Sequence, residues 1–203
     1  MKMNSQIKSL GKQAGYTLIE LSIAIAIISV LIMTALFGVQ KVLDNSNTDT
    51  TAQQVTLANA SINKYAVMLS DKTFVGTTAA AAGLGIWPDN LVTKTAGVVT
   101  KVSNPFGGEY VHLNGGTAGY YYIVITGVPL SACVATAASF ANTAAQIDMD
   151  EEPTSAKVIT NAKPTTVVTA VKPLGGAVAQ ATLIKACSSA TAKKVNVWLS
   201  YAM

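Results

Sequence analysis

The chain has 203 residues, of which 50% are hydrophobic and only 12% are charged. This composition excludes an intrinsically disordered chain, and the presence of one long uncharged apolar stretch rather than several excludes a polytopic membrane protein. The net charge is +4, every basic residue is a Lys, and the excess lies in the first 15 residues, so a basic nucleic-acid-binding surface on the folded part is not indicated.

The N-terminal segment combines a basic tip with a long apolar run. Lys2, Lys8 and Lys12 precede residues 21–40, which contain no charged residue. A helix of that length is about 30 Å long, the thickness of a bilayer core. A buried helix and a secretory signal peptide are the alternatives, but the run exceeds the usual apolar core of a signal peptide. We predict a retained transmembrane helix, with the basic tip in the cytoplasm and the rest of the chain outside it.

Glu20 is an acidic residue at the edge of this apolar run, between Ile19 and Leu21. An ionised carboxylate in hydrocarbon is costly unless a cation pairs with it. One interpretation is a Glu whose carboxylate reaches the membrane interface. The functional interpretation is a partner cation at the same depth, which no Lys of the same helix can supply.

Helical periodicity continues beyond the apolar run. Val55, Ala58, Ile62, Tyr65 and Leu69 recur at helical spacing. The pattern predicts one helix from about residue 17 to about residue 69, amphipathic in its second half. Polar residues of low helix propensity over 44–51 predict a soft point there or near the glycine at position 38.

The remainder of the chain predicts an antiparallel sheet with additional helices, which places the protein in the α+β class. The turn signal at residues 114–116 between two strand patterns indicates a hairpin. In chain order, the predicted elements are loops over 73–107, strands over 109–113 and 120–126, a helix over 130–141, a strand over 165–171, a helix over 177–186 and a closing strand over 195–201.

Catalytic motifs are weak in this sequence. His112 is the only His, and it falls in a strand pattern without a nucleophile motif beside it. The Ser61–Lys64 pair matches Ser-x-x-Lys but lacks the companion motifs of that enzyme class. The acidic residues over 148–152 lack the spacing and the glycine of an EF-hand loop, which favours a solvated loop. We therefore predict no enzymatic activity, no cofactor and no metal site.

Two cysteines, Cys133 and Cys187, lie in the part of the chain placed outside the cytoplasm. A disulfide is expected in such a compartment and would close a long loop. Two unrelated buried thiols are the alternative, and metal binding by two distant cysteines is less favoured.

The sequence from Gly15 through Tyr16 to Glu20, followed by the apolar run, resembles the leader junction of type IV pilin precursors. These precursors have a basic leader that ends in Gly, and Glu at the fifth mature position. Pseudopilins of type II secretion share the junction. The segments at 104–108, 127–133 and 183–187 resemble type IVb major pilins of the toxin-coregulated and conjugative thin-pilus kind.

This resemblance implies the pilin fold and a division of the chain into functional segments. The expected segments are a leader (1–15), a transmembrane and filament-core helix (16–40), an amphipathic helical half (41–70) and a head (71–203) with a disulfide-bounded region (133–187). A prepilin peptidase and methyltransferase is expected to cut after Gly15 and methylate the amine of Tyr16. Glu20 of one subunit is expected to pair with that amine in a neighbour during assembly.

The function implied is the major structural subunit of a type IV pilus, which associates with itself in a helical filament. Expected partners are the peptidase, the inner membrane and the pilus assembly machinery. The expected locations are the inner membrane of a Gram-negative bacterium for the precursor and the cell exterior for the filament. The alternatives are a minor pilin, a pseudopilin of a secretion or DNA-uptake system, and a single-span membrane-anchored binding protein or enzyme.

Overall fold

The computed structural model describes residues 16–69, 76–114, 119–151, 169–188 and 193–203. The chain divides into two compact units, one up to Gln40 and one from Lys41 onward. Several expectations lie outside the described residues: the leader with Gly15, the turn residues 115 and 116, and the first part of the strand expected over 165–171.

The longest element is helix α1, Leu18–Met68. It agrees with the predicted helix to within one residue at each end. The expected soft point over 44–51 is helical throughout. There the Thr48 and Thr50 hydroxyls donate to the carbonyl oxygens of Asp44 and Ser46, both at 2.8 Å. Each hydroxyl thus bonds to the carbonyl oxygen four residues earlier, and its donor is satisfied within the helix.

The second unit is built on a five-stranded antiparallel sheet. Its spatial order is β3-β4-β7-β5-β6, so the strand predicted to close the domain lies at the centre of the sheet. The strands are β3 (Tyr110–Asn114), β4 (Tyr120–Pro129), β5 (Gln146–Glu151), β6 (Thr169–Lys172) and β7 (Lys194–Ala202). The α+β class and the predicted hairpin of β3 and β4 are confirmed.

Three short helices and a separate hairpin accompany the sheet. Helix α2 is Thr78–Gly83, α3 is Leu130–Ser139 and α4 is Gln180–Ser188, and a 3-10 turn covers Asp89–Leu91. The hairpin consists of β1 (Val92–Thr95) and β2 (Val98–Val102). The loop prediction for 73–107 is therefore wrong over α2 and this hairpin. The two turn residues between β1 and β2 have positive φ, 51° at Ala96 and 81° at Gly97, which is the backbone of a two-residue hairpin turn.

The hydrophobic core lies between the inner face of the sheet and the helices. The second half of α1 contributes Val55, Ala58 and Ile62, all without exposed surface. The sheet contributes alternate residues of β4 and β7, as a half-buried strand pattern requires. The members from those two strands are Tyr121, Ile123, Ile125, Val128, Val195, Val197, Leu199 and Tyr201.

The acidic residues of 148–152 were predicted to form a solvated loop, and this prediction is wrong for the described ones. Asp148 and Asp150 alternate with the core residues Ile147 and Met149 along β5, and Asp148 is only 1% exposed. On β7 their neighbours across the sheet are Trp198 and Asn196, and the Trp198 indole N–H donates to Asp150 Oδ1 at 3.0 Å. The alternation of acidic and apolar residues over 147–150 is a strand pattern, but the density of acidic residues favoured a solvated loop.

Candidate functional site

Tyr16 and Thr17 precede the first turn of α1 and are not helical. Tyr16 is 82% exposed. Thr17 caps the helix: its carbonyl oxygen accepts from the Leu21 N–H at 3.1 Å, and its hydroxyl oxygen accepts from the Glu20 N–H at 3.3 Å. Gly15, the predicted cleavage residue, lies outside the described residues. The structure therefore describes the mature side of the predicted junction.

The apolar part of α1 meets the length and composition needed to cross a membrane. None of its residues from 18 to 42 is buried. Its hydroxyl groups are satisfied locally, because Ser22 donates to the Ile19 carbonyl at 2.8 Å and Ser29 donates to the Ile25 carbonyl at 2.7 Å. Serines bonded in this way remain compatible with an apolar surrounding.

Glu20 differs from these hydroxyl groups. It is an exposed residue in the first turn of α1. Within the part of the chain that the structure describes, its carboxylate enters no hydrogen bond or ion pair. The position favours an anion, because the positive end of the helix dipole lies there. The carboxylate therefore requires a cation or donors from another molecule if the surroundings exclude water.

The head holds the second half of α1 through polar contacts with helix α3. The Ser131 hydroxyl donates to Asp44 Oδ2 at 2.5 Å, and the hydroxyl oxygens of Thr48 and Thr136 are 3.3 Å apart. Helix α3 is in turn linked covalently to α4. Cys133 and Cys187 form a disulfide with a Cα–Cα distance of 5.8 Å. The disulfide expected from the sequence is therefore present, and it connects the helix that carries the α1 contacts to the C-terminal part of the head.

Two tyrosines of the sheet hold α1 from the other side of the core. The Tyr110 hydroxyl donates to Gln54 Oε1 at 2.7 Å, and the Tyr121 hydroxyl donates to Asn59 Oδ1. Burial raises the pKa of both phenols well above the ordinary value of 10. They are therefore neutral donors at any physiological pH, and each satisfies an amide on the inward face of the helix.

His112, which the sequence placed on a strand, is fully buried on β3 and belongs to a polar cluster. Its Nε2 accepts from the Trp87 indole N–H at 2.8 Å, and Trp87 stacks on Tyr110 with ring centroids 4.3 Å apart. Burial lowers the pKa of His112 from 6.5 to about 3. The imidazole is neutral and serves as an acceptor, which is a structural role rather than that of a base open to a substrate.

Asn104 organises the turn that precedes β3. Its amide nitrogen donates to the carbonyl oxygens of Glu109 and Thr126, at 3.1 and 2.8 Å, and its Oδ1 accepts from the backbone N–H groups of Phe106 and Gly108, both at 3.0 Å. A Cβ on Gly108 would lie 2.1 Å from the Thr126 carbonyl oxygen. The Asn-Pro-Phe-Gly-Gly segment therefore packs closely on β4 and is hydrogen-bonded to it.

No group of His, Cys, Asp and Glu side chains that could hold a metal ion is found among the described residues. The residues predicted to be functional lie in two separate places. Tyr16 and Glu20 lie four residues apart at the start of α1, and the disulfide with its hydrogen-bonded neighbours lies in the head.

Comparison with known proteins agrees with this arrangement. A family model described as the prokaryotic N-terminal methylation motif matches residues 10–36. No curated protein matches the sequence. Among solved structures, the chain is similar to the crystal structure of TcpA, a type IV pilin from Vibrio cholerae El Tor biotype, with a TM-score of 0.51 and 14% sequence identity. The match covers 77% of this chain and 99% of that one.

The chain is therefore a type IV pilin-like protein: it has the type IV pilin fold and carries the N-terminal methylation motif. At 14% identity the structural likeness establishes the fold alone. The resemblance to type IV pilins and the fold predicted from the sequence are confirmed. The apolar helix and the motif are consistent with a membrane-anchored precursor that is assembled in a filament.

Sequence reasoning missed the Trp87–His112 pair and the role of Asn104. The pair joins residues 25 positions apart, and no local pattern encodes that contact. Asn104 belongs to the segment 104–108 that resembles type IVb pilins. The two glycines at its end indicate a turn, and such a turn needs an internal hydrogen-bond acceptor.

Proposed function

We propose that this protein is the major subunit of a type IV pilus, of the type IVb kind. The observation that carries the proposal is the sequence of features along α1: a methylation motif at the junction, an exposed apolar helix and a single acidic residue in its first turn. Such a helix is stable in lipid before assembly and in a bundle of identical helices afterwards. Burial among copies of itself would cover the apolar side chains that the monomer leaves exposed.

The processing step follows from the charges on either side of Gly15. Cleavage after Gly15 by a prepilin peptidase removes Lys2, Lys8 and Lys12, which otherwise hold the N-terminus in the cytoplasm. The cut also creates an amine on Tyr16, and N-methylation keeps that amine cationic. The new cation lies four residues from Glu20, at a similar depth in the membrane.

Assembly then uses this pair between subunits. The amine of one Tyr16 meets the carboxylate of Glu20 in a neighbouring subunit, and a misplaced subunit leaves both charges buried and unpaired. Removing one partner of a buried ion pair typically costs about 3–5 kcal/mol. A penalty of that size is enough to select one axial register. The membrane and the pilus assembly machinery are the partners that this process requires.

A minor pilin or pseudopilin is the second candidate, since such proteins share the N-terminal junction. The disulfide-bounded region between Cys133 and Cys187 favours a major pilin. The chain also matches nearly the whole length of a solved type IV pilin.

Mass spectrometry of sheared filaments tests the proposal. We expect the dominant subunit to have the intact mass of residues 16–203 with one methyl group and one disulfide. A dominant subunit that retains the leader contradicts the processing step. A correctly processed chain present at only a trace level relative to another subunit supports the minor-pilin alternative.

A further inference from the structure

We propose that Thr17 is a positioning residue for leader cleavage, because its side chain stops α1 two residues short of the processing junction. This inference rests on the proposed function, since it assumes a peptidase that cuts between Gly15 and Tyr16. The role is distinct from the pairing assigned to Glu20, which operates after cleavage.

The geometry of an N-cap is complete at Thr17. The residue is itself non-helical, its carbonyl oxygen accepts the first intrahelical bond from Leu21, and its hydroxyl oxygen accepts from the N–H of Glu20. Glu20 is the third helical residue, and this is the backbone donor that a Thr cap reaches. The spacing Thr-x-x-Glu is also that of a capping box, of which the described residues form the Thr17 half.

The surroundings increase the importance of this cap. The first N–H groups of a helix have no intrahelical acceptor, and apolar surroundings offer them no water. Ile19 and Leu21, which flank the capped donor, are both exposed apolar side chains suited to a membrane. A side-chain acceptor at residue 17 therefore fixes where the helix begins more firmly there than in water.

The consequence for processing concerns the scissile bond. Tyr16 is non-helical and exposed, and exposed, non-helical backbone is the preferred site of proteolysis. Loss of the cap removes the barrier to helix growth toward the N-terminus. A helical Tyr16 would have its backbone groups engaged and would have to unwind before cleavage. Thr17 thus acts on the reaction through backbone conformation and needs no contact with the reacting atoms.

Three variants of the full-length precursor separate capping from direct recognition of the hydroxyl. Thr17→Val keeps the size and β-branching of Thr, and the two residues have similar helix propensity, but Val cannot accept a hydrogen bond. Thr17→Ser keeps the hydroxyl, and Thr17→Asn supplies a good cap of a different shape. Cleavage rates are measured by pulse-chase in membranes that contain the peptidase, together with the Tyr16 13Cα chemical shift in detergent micelles.

We expect Thr17→Val to be cleaved about fivefold more slowly than wild type, the factor that corresponds to loss of a typical cap, with the Tyr16 shift moving toward helical values. Ser and Asn should cleave within about twofold of wild type, with unchanged shifts. Wild-type cleavage of Thr17→Val, or slow cleavage of Thr17→Asn with an unchanged shift, overturns the inference. If the wild-type chain is not cleaved at all, the proposed processing is wrong. The role of Thr17 as a cap is tested separately, because an unchanged Tyr16 chemical shift in Thr17→Val contradicts it whether or not cleavage occurs.

Discussion

The two units of this protein differ in the exposure of their apolar side chains. From residue 18 to 42 every side chain of α1 is exposed, whereas from Val55 to Ile62 the same helix contributes fully buried residues to the core of the head. The secondary structure is the same in both parts. The difference is in the partners: the head supplies its own sheet and disulfide, whereas α1 is the only element among the described residues of the N-terminal unit.

Polar groups show the same contrast. In the head, Asn104 makes four hydrogen bonds, and the Tyr110 and Tyr121 hydroxyls find amides on α1. In the described N-terminal unit, the hydroxyls bond to their own helix and the Glu20 carboxylate has no described partner. The described side chains of the head thus find polar partners within the chain, while the proposed function assigns the partners of the N-terminal helix to lipid or to other copies. Mutations should therefore affect either assembly or head stability, and rarely both.

The largest effect is expected from Gly15→Val, which acts on the N-terminal unit only. A β-branched residue before the scissile bond should block cleavage, so that the basic leader remains in the cytoplasm. We expect precursor in the inner membrane, no filaments by electron microscopy and an unchanged head disulfide. Loss of the disulfide in this variant would show that the two units do not fold independently.

Glu20→Gln should reduce filament number at least tenfold while leaving head stability unaltered. The substitution keeps size and polarity but removes the charge, and insertion should be no harder because a neutral amide is cheaper to bury than an ion. The measurements are precursor level, cleavage and filament counts. The matched control is Ser22→Ala, which removes a hydroxyl that is already satisfied by its own helix. Normal filament numbers in Glu20→Gln would refute the pairing.

Cys133→Ser tests the head. Loss of a native disulfide from a small secreted domain typically costs about 2–5 kcal/mol, and Cys133 also lies on the helix that contacts Thr48 through Thr136. We expect a lower midpoint in denaturant for the full chain in micelles, with leader cleavage at the wild-type rate. The double variant Cys133→Ser/Cys187→Ser serves as the control for effects of an unpaired thiol. Equal stability of wild type and the double variant would contradict a stabilising role.

The smallest effect is the acid sensitivity that His112 confers on the head. Its folded pKa of about 3 is below the unfolded value of 6.5, so the unfolded state takes up the proton first. The contribution is fully present above pH 6.5 and falls by up to about 1.4 kcal/mol per pH unit as the pH drops from 6.5 toward 3. Protonation of Nε2 would also oppose the Trp87 N–H.

Urea unfolding of the full chain at pH 7 and pH 5.5 measures this loss above the range in which carboxylates titrate. His112 is the only His in the sequence, and His112→Gln keeps an acceptor for Trp87 without a titrating group. The variant is expected to be less stable at pH 7 and to lose less stability between the two pH values. An identical pH dependence in the two proteins would assign the acid effect to other groups.

Sequence reasoning succeeded where the determinants are local. The uncharged run after Glu20 and the periodicity from Val55 onward predict α1 because a helix is encoded by neighbours three and four residues apart. The junction around Tyr16 was recognisable for the same reason. The pairing of Cys133 and Cys187 was accessible because the chain contains only two cysteines.

It failed where a distant partner decides the outcome. Asp148 and Asp150 read as solvent-facing, but β5 lies beside the central strand β7 and Asp148 is buried there. Trp87 lies between glycine and proline residues in the sequence, and its acceptor, His112, is 25 positions away on β3. In both cases the tertiary pairing overrides the local preference, and a single sequence contains no record of that pairing.

The central position of β7 has a consequence for how the sheet is completed. β7 follows every other described strand in sequence, yet it joins β4 to β5 in the sheet. Without residues 194–202, the earlier strands of this sheet form two unconnected groups, β3–β4 and β5–β6. The sheet is therefore completed only when β7 is available, and a chain interrupted before residue 194 loses the middle of its sheet rather than an edge. Such a chain would expose the edges of β4 and β5, and unpaired strand edges of this kind favour aggregation.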